Sequence, residues 1–324
     1  MLENRESFKS FLPFLSASAS QNFLLKCYRA SSFTEAEQLS YQNSYPFMYY
    51  LEYAQTYYEQ AELSPISIKP TLTFYGFTQL LKACLLTVEP NYPESTSELA
   101  HGVTARKRKK QQYEFLKDEV KIQRNGLFSS LSEKVFHMKH LEGEKFSMSN
   151  LLNEIPEMES IALMGKPAHF FRFYPCANGF CIAPEILDRF KMTLSRFEDF
   201  LTGKLGQKVI LQNKETEIHT GVERVFSMNA SAPIRYNSMS GHFALSANKD
   251  SKNYKMPELL LHYLVLYNLS MIARYETEWW AELLKMMPGD DYPHIVHFLH
   301  IHQRKAPLLV LEWLTKDRFD NRFI

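Results

Sequence analysis

The sequence predicts an α+β fold, with mainly helical N- and C-terminal parts packed together around a central strand-containing lobe. Three observations carry that expectation. Apolar residues in the first third recur at steps of three and four, charged and apolar residues alternate over short runs from about Glu119, and helical spacing returns at Pro257. The expected parts are residues 1–117, 118–254 and 255–324.

In the first part, Phe47, Tyr50, Leu51, Ala54, Tyr57, Tyr58 and Ala61 fall on one face of a helix, with Glu52, Gln55 and Glu59 outside it. Pro46 suits the start of that helix, where its missing N–H costs nothing. TLTFYGFTQLLKACLLTV after Pro70 is apolar nearly all round, as a central bundle helix would be, and EPNYP stops it.

The middle part opens with EVKIQ, and Arg124-Asn125-Gly126 before LFSSL reads as a hairpin turn. AHFFRFY, KVILQ, the stretch from Val222 to Phe226, and HFALS are further strand candidates, interrupted by ILDRFKMTLSRFEDFLTGKLG as an amphipathic helix. The last part begins with PELLLHYLVLYNLSMIARYETEWWAELLKMM, one long helix with a break expected near Tyr275. Asp290 or Asp291 should cap a final helix that Pro307 kinks or ends.

With 45% hydrophobic residues, 24 Phe and 18 Tyr in 324 residues, the chain has ample material for a core. A net charge of +1 removes any whole-molecule field for nucleic acid or membrane, so a basic site must be local. FLPFLSASAS follows Glu3 and Glu6 and lacks the basic start of a secretory segment. The uncharged run from Leu259 to Ala273 is shorter than the roughly 20 residues that span a bilayer, and reads as a buried helix. Cys84 reads as a buried hydrophobe, and Cys176 and Cys181 lack zinc-knuckle spacing and a second pair. Free thiols in a reducing compartment are expected.

The most conspicuous candidate site is Arg106-Lys107-Arg108-Lys109-Lys110, following His101-Gly102-Val103. Five adjacent cations repel one another unless solvent or an anion accommodates them, and they could clamp the phosphates of a nucleotide or RNA. The commoner origin of such a run is a solvated loop neutralised by acids, here Glu114 and Asp118. Arg274 and Glu278, four apart, are placed to pair on one helix face beside Trp279 and Trp280, one of which is a candidate to cap a pocket or partner surface. His294, His297, His300 and His302 could approach a metal ion, with Asp290 and Asp291 as carboxylates. Steps of three drift around a helix, however, so these histidines do not share one narrow face.

No Walker A loop, GxGxxG, GxSxG or kinase signature is present, which points away from an enzyme and implies no cofactor.

LAHGVTARKRKKQQYEFLKDEVKIQRNGLF, LLKACLLTVEPNYP and YNLSMIARYETEWW together resemble the YaaC-like family of Firmicute bacteria. The resemblance implies a cytosolic protein in a purine-nucleotide setting, since the family's gene commonly neighbours that of IMP dehydrogenase. It marks His101, Arg106, Lys107, Arg108, Lys109, Lys110, Arg274, Glu278 and Trp279 as positions to test, and supplies no catalytic residue. The expected function is that of a non-catalytic regulatory or adaptor protein. It would bind a protein partner such as IMP dehydrogenase, an anionic nucleotide, or both. Competing readings are a HEPN-like RNA-binding protein or ribonuclease, and a metal-dependent hydrolase using the C-terminal histidines. For the former, the only comparable Arg-to-His spacing is Arg235 to His242, in the loop-like RYNSMSGH.

Overall fold

The computed structural model describes residues 8–105, 113–161, 169–176, 179–205, 208–214, 217–220, 232–249, 251–287 and 289–315. The chain opens with helices α1 (Ala17–Ala30), α2 (Ala36–Leu63) and α3 (Lys69–Leu86). Strands β1 (Val103–Ala105) and β2 (Glu119–Ile122), the short helix α4 (Leu127–Ser130), β3 (Lys145–Ser147) and α5 (Met148–Leu152) follow. Next come β4 (Phe170–Cys176), β5 (Gly179–Ile182), α6 (Glu185–Phe190), α7 (Leu194–Leu205), β6 (Leu211–Lys214), β7 (Glu217–Thr220), β8 (Ile234–Asn237) and β9 (His242–Ser246). Helices α8 (Glu258–Tyr275), α9 (Thr277–Met286) and α10 (Asp291–Thr315) close the chain. The fold is α+β, helical at both ends with antiparallel sheet between them in sequence.

The chain divides into two compact units, one built from Met1–Met148 with His262–Arg322 and the other from Ser149–Leu261. In the first, the expected face of α2 is turned inward: Phe47, Leu51, Ala54, Tyr58 and Ala61 are buried and Tyr50 and Tyr57 partly so. The helix starts ten residues before Pro46, which lies in its interior. Packing decides this, because Ala36, Ser40 and Ser44 are buried too, and the Ser40 and Ser44 hydroxyls donate to the carbonyls of Glu37 and Tyr41. Helix α3 is buried nearly all round, Cys84 included. Tyr28 of α1 donates to the carbonyl of Leu86 at 2.9 Å and so ties α1 to the end of α3.

Strands β1, β2 and β3 form a small antiparallel sheet in that order. The Asn125-Gly126 turn does not close a hairpin, for LFSS is helix α4. The amides of Leu127 and Phe128 are taken by the carbonyls of Ala100 and His101 (2.8 and 3.2 Å), which bends the chain into a helical turn that buries both side chains. Residues 259–270 of α8 are buried, as expected of a core helix, and the break falls at Glu276. Pro307 does not end α10, which continues to Thr315 with Pro307, Ala306, Leu309 and Val310 all buried. Among the described residues no helix is long and apolar enough to cross a membrane.

The second unit is an antiparallel sheet of order β6-β7-β5-β4-β9-β8. Its core face carries Phe173, Ile182, Leu211, Ile218, Ile234, Phe243 and Leu245, packed with Ile186 and Phe190 of α6 and Phe197 and Leu201 of α7. The expected single helix over ILDRFKMTLSRFEDFLTGKLG is thus two, broken where Lys191 turns left-handed (φ 50°). Val222 to Phe226 lies outside the described residues. The opposite face buries Arg235 against Glu154 at 3.8 Å. Burial lowers the Arg235 pKa and raises that of Glu154, outweighing their mutual attraction.

Candidate functional site

The loop carrying His101 is shaped by a close backbone approach that only glycine permits. Gly102 and Gly126 both adopt positive φ (74° and 130°), and a Cβ on Gly126 would lie 2.3 Å from the Gly102 nitrogen. The His101 carbonyl accepts from Tyr263 Oη at 2.8 Å, which fixes the loop on α8. The imidazole is half-buried, edge-on to Phe74 (5.0 Å) and Tyr267 (5.7 Å).

Two cations act on it. Lys82, a cation inside the otherwise apolar body of helix α3, is half-buried with its ammonium 5.8 Å from the Tyr50 ring. Arg274, near the end of α8, donates from Nε to the Ser270 carbonyl and from Nη1 to Tyr75 Oη, both at 3.0 Å. Its guanidinium lies 5.6 Å from the Tyr75 ring and 5.1 Å from that of Tyr275. Burial lowers the His101 pKa, and Arg274 and then Lys82 lower it further, so the charges acting on this imidazole are both positive. Burial alone lowers the Lys82 pKa. The imidazole and the two cations come from the loop before β1, α3 and α8, and each has a tyrosine beside it: Tyr267 at His101, Tyr50 at Lys82 and Tyr75 at Arg274.

Arg106, Lys107, Arg108, Lys109 and Lys110 lie outside the described residues. The chain on either side of them is well anchored. Ala105 pairs with Val120, and beyond the run the Tyr113 carbonyl accepts from Trp279 Nε1 at 3.3 Å while the two rings meet edge-on at 4.4 Å. Asp291 then accepts the amides of Phe115 and Leu116 at 2.7 and 3.1 Å, rather than capping its own helix. Both acids expected to neutralise the run have partners among the described residues. Glu114 pairs with Lys117 at 2.8 Å, and Asp118, buried, accepts from Tyr113 Oη, the Glu119 amide and Asn268 Nδ2.

Arg274 and Glu278 do not pair. The break at Glu276 puts them on different helices, so the four-residue spacing no longer aligns them, and Glu278 is exposed. Trp280 is buried with Nε1 donating to the Ser67 carbonyl at 2.8 Å, and Trp279, partly exposed, donates from Nε1 to the Tyr113 carbonyl. The C-terminal histidines do not converge. His302 is buried, hydrogen-bonded through Nε2 to Tyr58 Oη and through Nδ1 to His262 Nδ1, both at 2.8 Å, while His300 is exposed. Arg235 and His242 sit on two paired strands, β8 and β9, not in a loop.

Sequence reasoning missed two groups. Lys82 was legible as a cation inside the apolar run QLLKACLL. The other is Cys176, Cys181 and His219, whose ligand atoms lie within 4.8 Å of one another; the partner of the two cysteines is a strand neighbour far along the chain. Burial, then Cys176 and Glu217, push the Cys181 thiol up to about 12.

No curated protein and no solved structure matches the chain. A family model described as YaaC-like Protein matches residues 12–314. That span takes in both units, with His101, the basic run, Lys82, Arg274 and the Cys176–Cys181–His219 group inside it, and the chain belongs to the YaaC-like protein family.

Proposed function

We propose that this chain is a non-catalytic cytoplasmic regulatory or adaptor protein that binds an anionic nucleotide in its helical unit and acts on a protein partner of purine-nucleotide metabolism. The observation that carries the reading is the gathering of Lys82, His101 and Arg274 from three separate elements, with only positive charge acting on the imidazole. Partly desolvated cations hold phosphate more strongly than solvated ones, and the partly exposed Tyr50 and Tyr75 lie beside Lys82 and Arg274. Arg106–Lys110 follow β1 directly in sequence and are the cations to test beside these three. Support for a protein partner comes from Tyr41, Tyr45, Tyr49 and Tyr53, at four-residue steps on α2 and each more than half exposed. IMP dehydrogenase, the partner that the family resemblance implies, is the one to test by co-purification.

The deciding experiment is thermal melting of the full chain with purine mononucleotides. A ligand at a hundred times its Kd stabilises by about 2.7 kcal/mol and raises the melting temperature accordingly. The shift should vanish in Lys82→Ala and Arg274→Gln. It should also vanish in the Arg108→Glu/Lys109→Glu double variant without loss of ligand-free stability. An equal shift in all of these variants, or no shift with the wild type, rejects the proposal.

A further inference from the structure

On a β-strand, side chains alternate between faces, and residues directly opposite in adjacent strands share a face. Cys181 on β5 is opposite His219 on β7, and opposite Tyr174 on β4. Cys176 is two residues on from Tyr174, and Glu217 two residues before His219, so all four polar groups project from one face of the sheet. This is the face away from Phe173, Ile182 and Ile218, where the core lies. The sequence separation between Cys181 and His219 hid the group; strand register assembles it.

We propose that Cys176, Cys181 and His219 form a site for a thiolate-favouring divalent transition metal, zinc above all, in the strand-rich unit. Tetrahedral zinc at ordinary bond lengths sets its ligands about 3.8 Å apart for two sulfurs and about 3.6 Å for sulfur and nitrogen. Cys176 Sγ lies 3.7 Å from His219 Nδ1, and the three ligand atoms all fall within 4.8 Å of one another. With Nδ1 on the metal, His219 Nε2 faces Glu217 Oε2 at 3.6 Å. A carboxylate behind the second ring nitrogen fixes the ring and its tautomer, as in carboxylate–histidine–zinc arrangements. Zinc would displace one proton from each thiol to solvent, and two thiolates with a neutral imidazole then balance its charge. Three protein ligands leave the fourth position to water, and ligands on paired strands are better fixed than ligands on loops.

The test uses the full chain, reduced, stripped with chelator and titrated with Co²⁺ and then Zn²⁺. One equivalent of Co²⁺ should give a thiolate-to-cobalt charge-transfer band that Zn²⁺ bleaches. The Cys176→Ser/Cys181→Ser double variant should lose the band, and Glu217→Gln should weaken zinc binding by about 10–100-fold. Circular dichroism establishes that each variant is folded. Should the double variant not fold, Cys176→Ser, at the less buried thiol, must still lower the band. A folded, reduced wild type without the band overturns the proposal. So does a band of undiminished intensity in the cysteine variants, or formation of a Cys176–Cys181 disulfide in place of metal uptake.

Discussion

His101 is held among aromatic rings with two cations acting on it, and each of these lowers its affinity for a proton. An anion bound beside it would act in the opposite sense. Binding should therefore take up a proton, and affinity should rise as pH falls below about 6.5, until the imidazole of the ligand-free protein is itself protonated. Because a phosphate monoester titrates in the same range, the informative quantity is the difference between wild type and His101→Gln in nucleotide affinity measured by calorimetry across that window. Identical pH slopes would show that His101 does not contact the ligand. At this scale the sequence was a fair guide to which residues matter and a poor one to what they touch. His101 and Arg274 stood out as strings, but Arg274 turns from Glu278 to Ser270 and Tyr75, a choice made by the helix break at Glu276. Trp279 stood out beside Trp280, but its hydrogen bond to the Tyr113 carbonyl joins residues far apart in sequence and could not be read from either.

The elements show how packing overrides local preference. A proline inside a helix costs about 3 kcal/mol, yet Pro46 and Pro307 both lie in continuous helices because the faces around them are buried. Strand identity was legible from alternation in β2 and from short aromatic or apolar runs in β4 and β9. The helix of LFSS was not, since the Gly126–Gly102 approach that bends it is a contact between distant residues. Helices α2 and α10 meet through the Tyr58–His302 hydrogen bond, and His302 in turn meets His262 of α8. Burial, and then His262, hold the His302 pKa well below the 6.5 of an unfolded chain. The folded state thus binds fewer protons than the unfolded one below that pH. Stability is retained above it and lost on acidification, at up to about 1.4 kcal/mol per pH unit until the folded pKa is reached. His101 contributes with the same sign, so the comparison is again with a variant. Denaturant midpoints should fall between about pH 7 and 5, and His302→Asn should flatten that fall while lowering stability at neutral pH. A wild-type midpoint that does not move over this range would contradict the assignment.

Over the whole molecule, the α+β class was readable because it depends on periodicity summed over long windows. Neither constellation was assembled by the sequence, since α3, the His101 loop and α8, or β5 and β7, come together only through tertiary pairing. The two ligand proposals fall on different units, which gives them separate readouts. In scanning calorimetry Zn²⁺ should raise the transition of the Ser149–Leu261 unit and a purine nucleotide that of the other. One transition moved equally by both ligands would mean that the units unfold together. The order in which the chain emerges from the ribosome adds a constraint of its own. Residues of the strand-rich unit are contiguous, and all of them are translated before α9 and α10 exist. The helical unit cannot close over Tyr58 until His302 has left the exit tunnel. The face of α2 around Tyr58 therefore stays uncovered while the more than two hundred residues between Tyr58 and His302 are made.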